Sequence, residues 1–181
     1  MLNNNQERYG LISKSLHWLL ALMILSLIAV GAYMTDLDKQ DAMRGQIYAL
    51  HKAFGVTVLG LVLLRVLWIK LSRPPELPVA LRNWEKTLSR TVKVLLYILM
   101  LSTPVIGYLM SNAADKPISF FGLAHLPAIV APDKDLAETL GEAHELLAFT
   151  MLTLVGLHVA GALKHRFLDR PPDTDVLKRM L

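Results

Sequence analysis

Four stretches of the chain are long, apolar and almost free of charge: residues about 12–34, 47–69, 91–111 and 143–163. Each approaches or exceeds the roughly 20 apolar residues that an α-helix needs to cross a bilayer. None alternates apolar and polar positions as a half-buried strand does. In lipid a helix satisfies its own backbone, so the pattern predicts four membrane-spanning helices. A fifth apolar stretch, ISFFGLAHLPAIV at 118–130, is too short to span and is expected at the interface. Pro74–Pro75 and Pro171–Pro172 follow the second and fourth spans, where a helix should stop. Pro104 should kink the third. Residues 1–181 therefore read as one domain, an all-α integral membrane four-helix bundle.

Charge predicts the orientation. The N-terminus carries Arg8 and Lys14, and the segment after the second span carries Lys70, Arg73, Arg82, Lys86 and Arg90. The C-terminal tail adds Lys164, Arg166, Arg170, Lys178 and Arg179. The other two loops are net acidic. Lysine and arginine mark the cytoplasmic side, so both termini are expected there, with the lipid bilayer as the first partner. The N-terminal MLNNNQERYG is polar and lacks a small-residue cleavage site, so no cleaved signal peptide is expected.

Composition narrows the chemistry. The chain is 54% hydrophobic, with a mean hydropathy of +0.42 and no cysteine. Disulfides, thiolate metal sites, iron–sulfur clusters and thioether-bound haem are excluded, so any redox cofactor is non-covalent. The net charge of +4 comes from basic residues flanking the spans. Together with the lack of a Gly-rich phosphate loop, this argues against a nucleic-acid partner.

The anomaly is histidine inside the spans. His17 lies about a turn inside the cytoplasmic end of the first, and His51 about a turn inside the opposite end of the second. In the fourth, His144 is at the outer end and His158 near the inner end. Fourteen residues separate these two, about 21 Å along the axis and about 40° in azimuth. Depth thus sorts four histidines into two pairs, His17 with His158 inside and His51 with His144 outside. A single histidine in a membrane helix is often no more than a hydrogen-bonding neighbour. Two depth-matched pairs point instead to a cofactor. Imidazoles on facing helices suit the two axial positions of haem iron, whereas two histidines without thiolate or carboxylate are too few for zinc. Two non-covalent haems are the expectation, with the four histidines as iron ligands and no open coordination site.

Other residues leave alternatives open. Arg65 lies on nearly the same face as His51 but at inner depth, and either meets a haem propionate or snorkels to the headgroups. The glycines in or near the spans make room either for a macrocycle or for close helix contact. The third span has no histidine and reads as packing. Trp18, Trp68, Tyr33 and Tyr108 read as interface anchors, and His125 as an ordinary polar residue.

Taken together, ERYGLISKSLHW (7–18), LHKAFG (50–55), the third span's PVIGYLMS, KPISFFG (116–122), AHE (143–145) at the expected start of the fourth helix and LHVAGALKHRF (157–167) resemble the bacterial cytochrome b561 family. The likeness extends to the stand-alone homologues of the Gram-negative inner membrane and covers essentially the whole chain. It implies a four-helix inner-membrane protein with two b-type haems, ligated by His17 with His158 and by His51 with His144. One member of that family takes electrons from superoxide outside and reduces ubiquinone near the inner face. His165 matches the family's histidine beside the inner quinone site, so quinone binding is expected there. Arg166 departs from the second histidine that often follows.

The expected function is transmembrane electron transfer, exchanging electrons with the ubiquinone pool on the cytoplasmic side, with no residue assigned as catalytic. The donor is either superoxide or a soluble redox protein. A superoxide oxidase, or a cytochrome anchor for a soluble dehydrogenase or hydrogenase, is the alternative. Superoxide would need Lys39, Arg44, Lys116 or Lys134 to cluster outside. An ion transporter is disfavoured because the only acidic residue in the spans, Glu145, lies at the outer edge of the fourth.

Overall fold

The computed structural model describes residues 1–169 and 174–181; Arg170 and Pro171–Pro172 lie outside them. Four helices dominate: α1 Leu11–Asp36, α2 Arg44–Leu71, α3 Asn83–Ala113 and α4 Lys134–Phe167. All four are long and apolar enough to cross a membrane. Between α3 and α4 lies a two-residue antiparallel hairpin, β1 Ser119–Phe120 with β2 Ala124–His125, within the short apolar stretch. A 3-10 turn, Leu177–Arg179, follows α4.

The helices outrun the apolar stretches. α3 begins at Asn83 rather than 91, and α4 at Lys134 rather than 143. Their first turns are polar and locally capped. Glu85 accepts the Arg82 backbone N–H at 3.0 Å, and Asp133 accepts that of Leu136 at 3.0 Å. His144 therefore lies well inside α4 rather than at its start. α2 ends at Leu71, before Pro74–Pro75, as expected. α3 runs unbroken through Pro104.

Packing follows chain order around the bundle. α1 lies on α2, α2 on α3, and α3 along most of α4, whereas the α4 backbone barely approaches α1 and stays clear of α2, meeting both mainly through side chains. Midway through the bundle, Leu20, Ile24, Val58, Val62, Leu99 and Met151 form one buried apolar layer. Leucines and aromatics cover the outside: Leu22 is 67% exposed and Phe149 53%. Water would not tolerate so much apolar surface, but lipid does. Three threonine hydroxyls within the spans turn back on their own helices. Thr57, Thr150 and Thr153 each donate to the carbonyl four residues earlier.

Both ends of the bundle are tied. The polar N-terminus folds across Gly10, where a Cβ would run into the Leu2 carbonyl oxygen. Asn4 then clamps the end of α2 through Ser72, donating to Oγ at 3.0 Å and to the carbonyl at 2.8 Å. Trp18 and Lys14 donate to the carbonyls of Met180 and Leu181. At the opposite end, Lys52 donates to Ser111 and to the carbonyls of Lys116 and Pro117.

The layer defines a stability test. Val62 is 0% exposed and Leu63 is 54% exposed. Val62→Phe should cost about 1–3 kcal/mol by overpacking, while Leu63→Phe should stay within about 0.5 kcal/mol. Thermal unfolding in detergent measures both.

Candidate haem sites

The four span histidines meet as two pairs. The rings of His17 on α1 and His158 on α4 have centroids 6.3 Å apart at 72°. Those of His51 on α2 and His144 on α4 are 6.3 Å apart at 76°. A direct N–H···N hydrogen bond of about 2.9 Å would bring the centres to about 5.1 Å. Two imidazoles on opposite sides of one metal ion, each bonded at about 2.0–2.1 Å, have centres about 6.2–6.4 Å apart. The observed spacing is therefore too wide for hydrogen-bonded partners and matches a pair of axial ligands.

The outer pair is held by α1 and α3. His144 Nδ1 lies 3.0 Å from the Thr103 carbonyl, so it donates there and leaves Nε2 with its lone pair for a metal. Gly107 makes this approach possible: a Cβ there would stand 2.9 Å from His144 Cε1. Gly31 plays the same part for His51, at 3.3 Å from Cε1. His51 Nδ1 is buried without a hydrogen bond. Such an orphan typically costs about 1–3 kcal/mol, and a ring kept there against that cost fits a ligand's role. These two glycines thus serve the histidine rings.

The inner pair is surrounded by cations. Arg65 donates through Nε to the Tyr97 hydroxyl at 2.9 Å, and its Nη1 lies 3.1 Å from His17 Nδ1. Lys93, in the first half of α3, lines one cleft with His17, His158, Ser89, Tyr9 and Arg179. Burial pushes the Tyr9 phenol up despite the nearby Arg65 and Arg179, so it stays a protonated donor at neutral pH. The packing helix α3 therefore supplies Lys93, Tyr97, Thr103 and Gly107 to the two sites.

His165 lies farther along α4 in an ionic network. Its Nδ1 meets Asp169 at 2.6 Å, while Lys164 bonds Asp169 at 2.9 Å and Glu85 at 2.7 Å. Hydrogen bonds from His165 first, then Lys164, hold the Asp169 carboxyl below the usual carboxylate range. Lys164, read from sequence as an orientation residue, thus braces α4 to α3. Glu85, His165 and Asp169 could jointly face a metal ion, with ligand atoms within 4.8 Å, but the Lys164 ammonium already supplies the cation. Glu85, Asp169 and Tyr97 carried no sequence signal. Lys93 did, as a cation inside an expected span. His125 is an exposed residue of β2.

The family model for prokaryotic cytochrome b561 matches residues 8–181. The chain belongs to that family. Cytochrome b561 homolog 2 of Escherichia coli (strain K12) is 36% identical over 178 residues, covering 98% of this chain and 93% of the relative. The probable superoxide oxidase CybB of Yersinia pestis is 25% identical over 175 residues, 96% of each chain. Cytochrome b561 homolog 1 of Escherichia coli (strain K12) is 22% identical over 174 residues, 96% of this chain and 97% of the relative. Membership in the cytochrome b561 family implies a b-type haem and electron transfer across a membrane, in a multi-pass bacterial membrane protein.

The contact at Gly107 gives a direct check. Gly107→Val should displace His144 and lower the haem bound per protein, whereas Gly45→Ala, with nothing within 4 Å, should not. Absorbance of the purified variants measures the difference.

Proposed function

We propose that this cytochrome b561 carries electrons across the bacterial inner membrane through two bis-histidine b-type haems and passes them to ubiquinone at the cytoplasmic side, where both termini lie. The observation that carries this reading is the 6.3 Å ring separation, repeated in both histidine pairs. Held by these histidines, haem would supply reversible one-electron chemistry.

The chain's own residues have distinct tasks. His51 and His144 hold the outer site, with Thr103, Gly107 and Gly31 fixing their rings. His17 and His158 hold the inner one. The apolar layer around Val62 and Met151 lies between them and excludes water and charge. Arg65 can only donate hydrogen bonds, so its present contact makes His17 Nδ1 an acceptor and puts the ring proton on Nε2. His17 would hold a haem through Nε2 only as the Nδ1–H tautomer, and Arg65, no longer bonded to Nδ1, would then be available to a propionate.

At the cytoplasmic end, His165 is the candidate donor to a quinone carbonyl. Asp169 accepts from its Nδ1–H and fixes the ring's orientation. Nε2 is then the atom that carries a proton to the quinone. Superoxide is one reading of the electron donor, drawn from the relative described as a probable superoxide oxidase. The outer hollow gives it little electrostatic help, because Lys116 and Lys134 share it with Asp115 and Asp133. A soluble redox protein remains the other donor.

Stopped-flow reoxidation of the reduced protein by a short-chain ubiquinone tests the quinone assignment. His165→Ala should slow it about 10²-fold, with the haem spectrum unchanged. An unchanged rate removes His165 from the quinone site.

A further inference from the structure

The cleft beside the inner pair has an unusual inventory. His17, His158, Lys93, Ser89, Tyr9 and Arg179 all contribute to it. Lys93 makes no hydrogen bond or ion pair among the described residues, although it lies within an expected membrane span. The Ser89 hydroxyl, one turn earlier on the same helix, and the Tyr9 hydroxyl are likewise without partners among the described residues. Arg179 is already committed, donating to the Glu76 carbonyl at 2.7 Å. Among the described residues Glu76 is the one acidic residue lining the cleft, and it is exposed. Lys93 is close enough to His158 to act on it electrostatically.

An ammonium in a membrane helix is costly unless an anion meets it. Three free donors converging on one side of the imidazole pair fit the two oxygens of a carboxylate. Phosphate would be larger and more highly charged, and a quinone carbonyl would leave the lysine charge unbalanced. We propose that Lys93, with Ser89 and Tyr9, forms a carboxylate-binding site for a propionate of the haem held by His17 and His158. The site rests on the haem reading above but not on the quinone reading. It also sets a direction. A paired ammonium offsets the propionate charge, which otherwise favours the more positive ferric iron. Lys93 therefore raises the inner haem's affinity for an electron and draws electrons inward.

The test is a potentiometric titration of the full-length protein in detergent, with the inner wave assigned as the one lost in His158→Ala. Lys93→Gln should lower the reduced-to-oxidised ratio of the inner haem about tenfold at fixed potential, which is about 59 mV for one electron. Haem content should stay at the wild-type value. Lys93→Arg should restore most of the shift, and Ser89→Ala should give a smaller shift of the same sign if the glutamine variant does not assemble. Added acetate at constant ionic strength should leave the wild-type wave in place. Unmoved waves in both Lys93→Gln and Ser89→Ala, or a shift confined to the outer wave, overturn the proposal. A wild-type inner wave that moves with acetate also overturns it, because the site then takes a diffusible carboxylate. Wild-type protein without haem would instead remove the haem reading itself.

Discussion

A neutral imidazole carries one donor and one acceptor, and the middle of a bilayer offers neither water nor free backbone to meet them. This chain places four such rings in its spans and resolves the problem by pairing them across the bundle. The pairs are too far apart to satisfy each other directly and well placed to satisfy one metal ion. The arrangement of α4 follows from this. Among the helices its backbone packs closely on α3, and side chains, Met151 in the apolar layer and His144 and His158 above and below it, carry it to α1 and α2.

The two pairs are not equivalent. The outer one is positioned sterically: glycines of α1 and α3 admit its rings, and a backbone carbonyl selects the tautomer of His144. The inner one is positioned electrostatically, with Arg65 and Lys93 beside it and the Lys164 network beyond. Between them lies an apolar layer that includes the fully buried Val62 and Leu20. Such an arrangement gives two pairs of the same ligand type chemically different surroundings.

Much of this was legible in the chain. Lipid imposes one rule on every span, so hydropathy found all four, and helical periodicity with depth found both pairs. The first polar turns of α3 and α4 were missed because hydropathy reports what contacts hydrocarbon and does not report where the backbone stops being helical. Gly107 and Gly31 could not be told from packing glycines, since only the tertiary fold shows which ring faces them. Asp169 lay past the apolar stretch, and its role depends on the one turn that separates it from His165. Lys93 was visible as a charge within a span and stands out only beside its unpartnered neighbours.

The most direct measurement is the haem-to-protein ratio of detergent-purified protein by pyridine haemochrome, with single alanine variants of His17, His51, His144 and His158. Two haems per chain are expected, with the same haem lost in the His17 and His158 variants and the other in the His51 and His144 variants. A colourless wild type produced with ample haem would contradict the account, as would losses that pair His17 with His51.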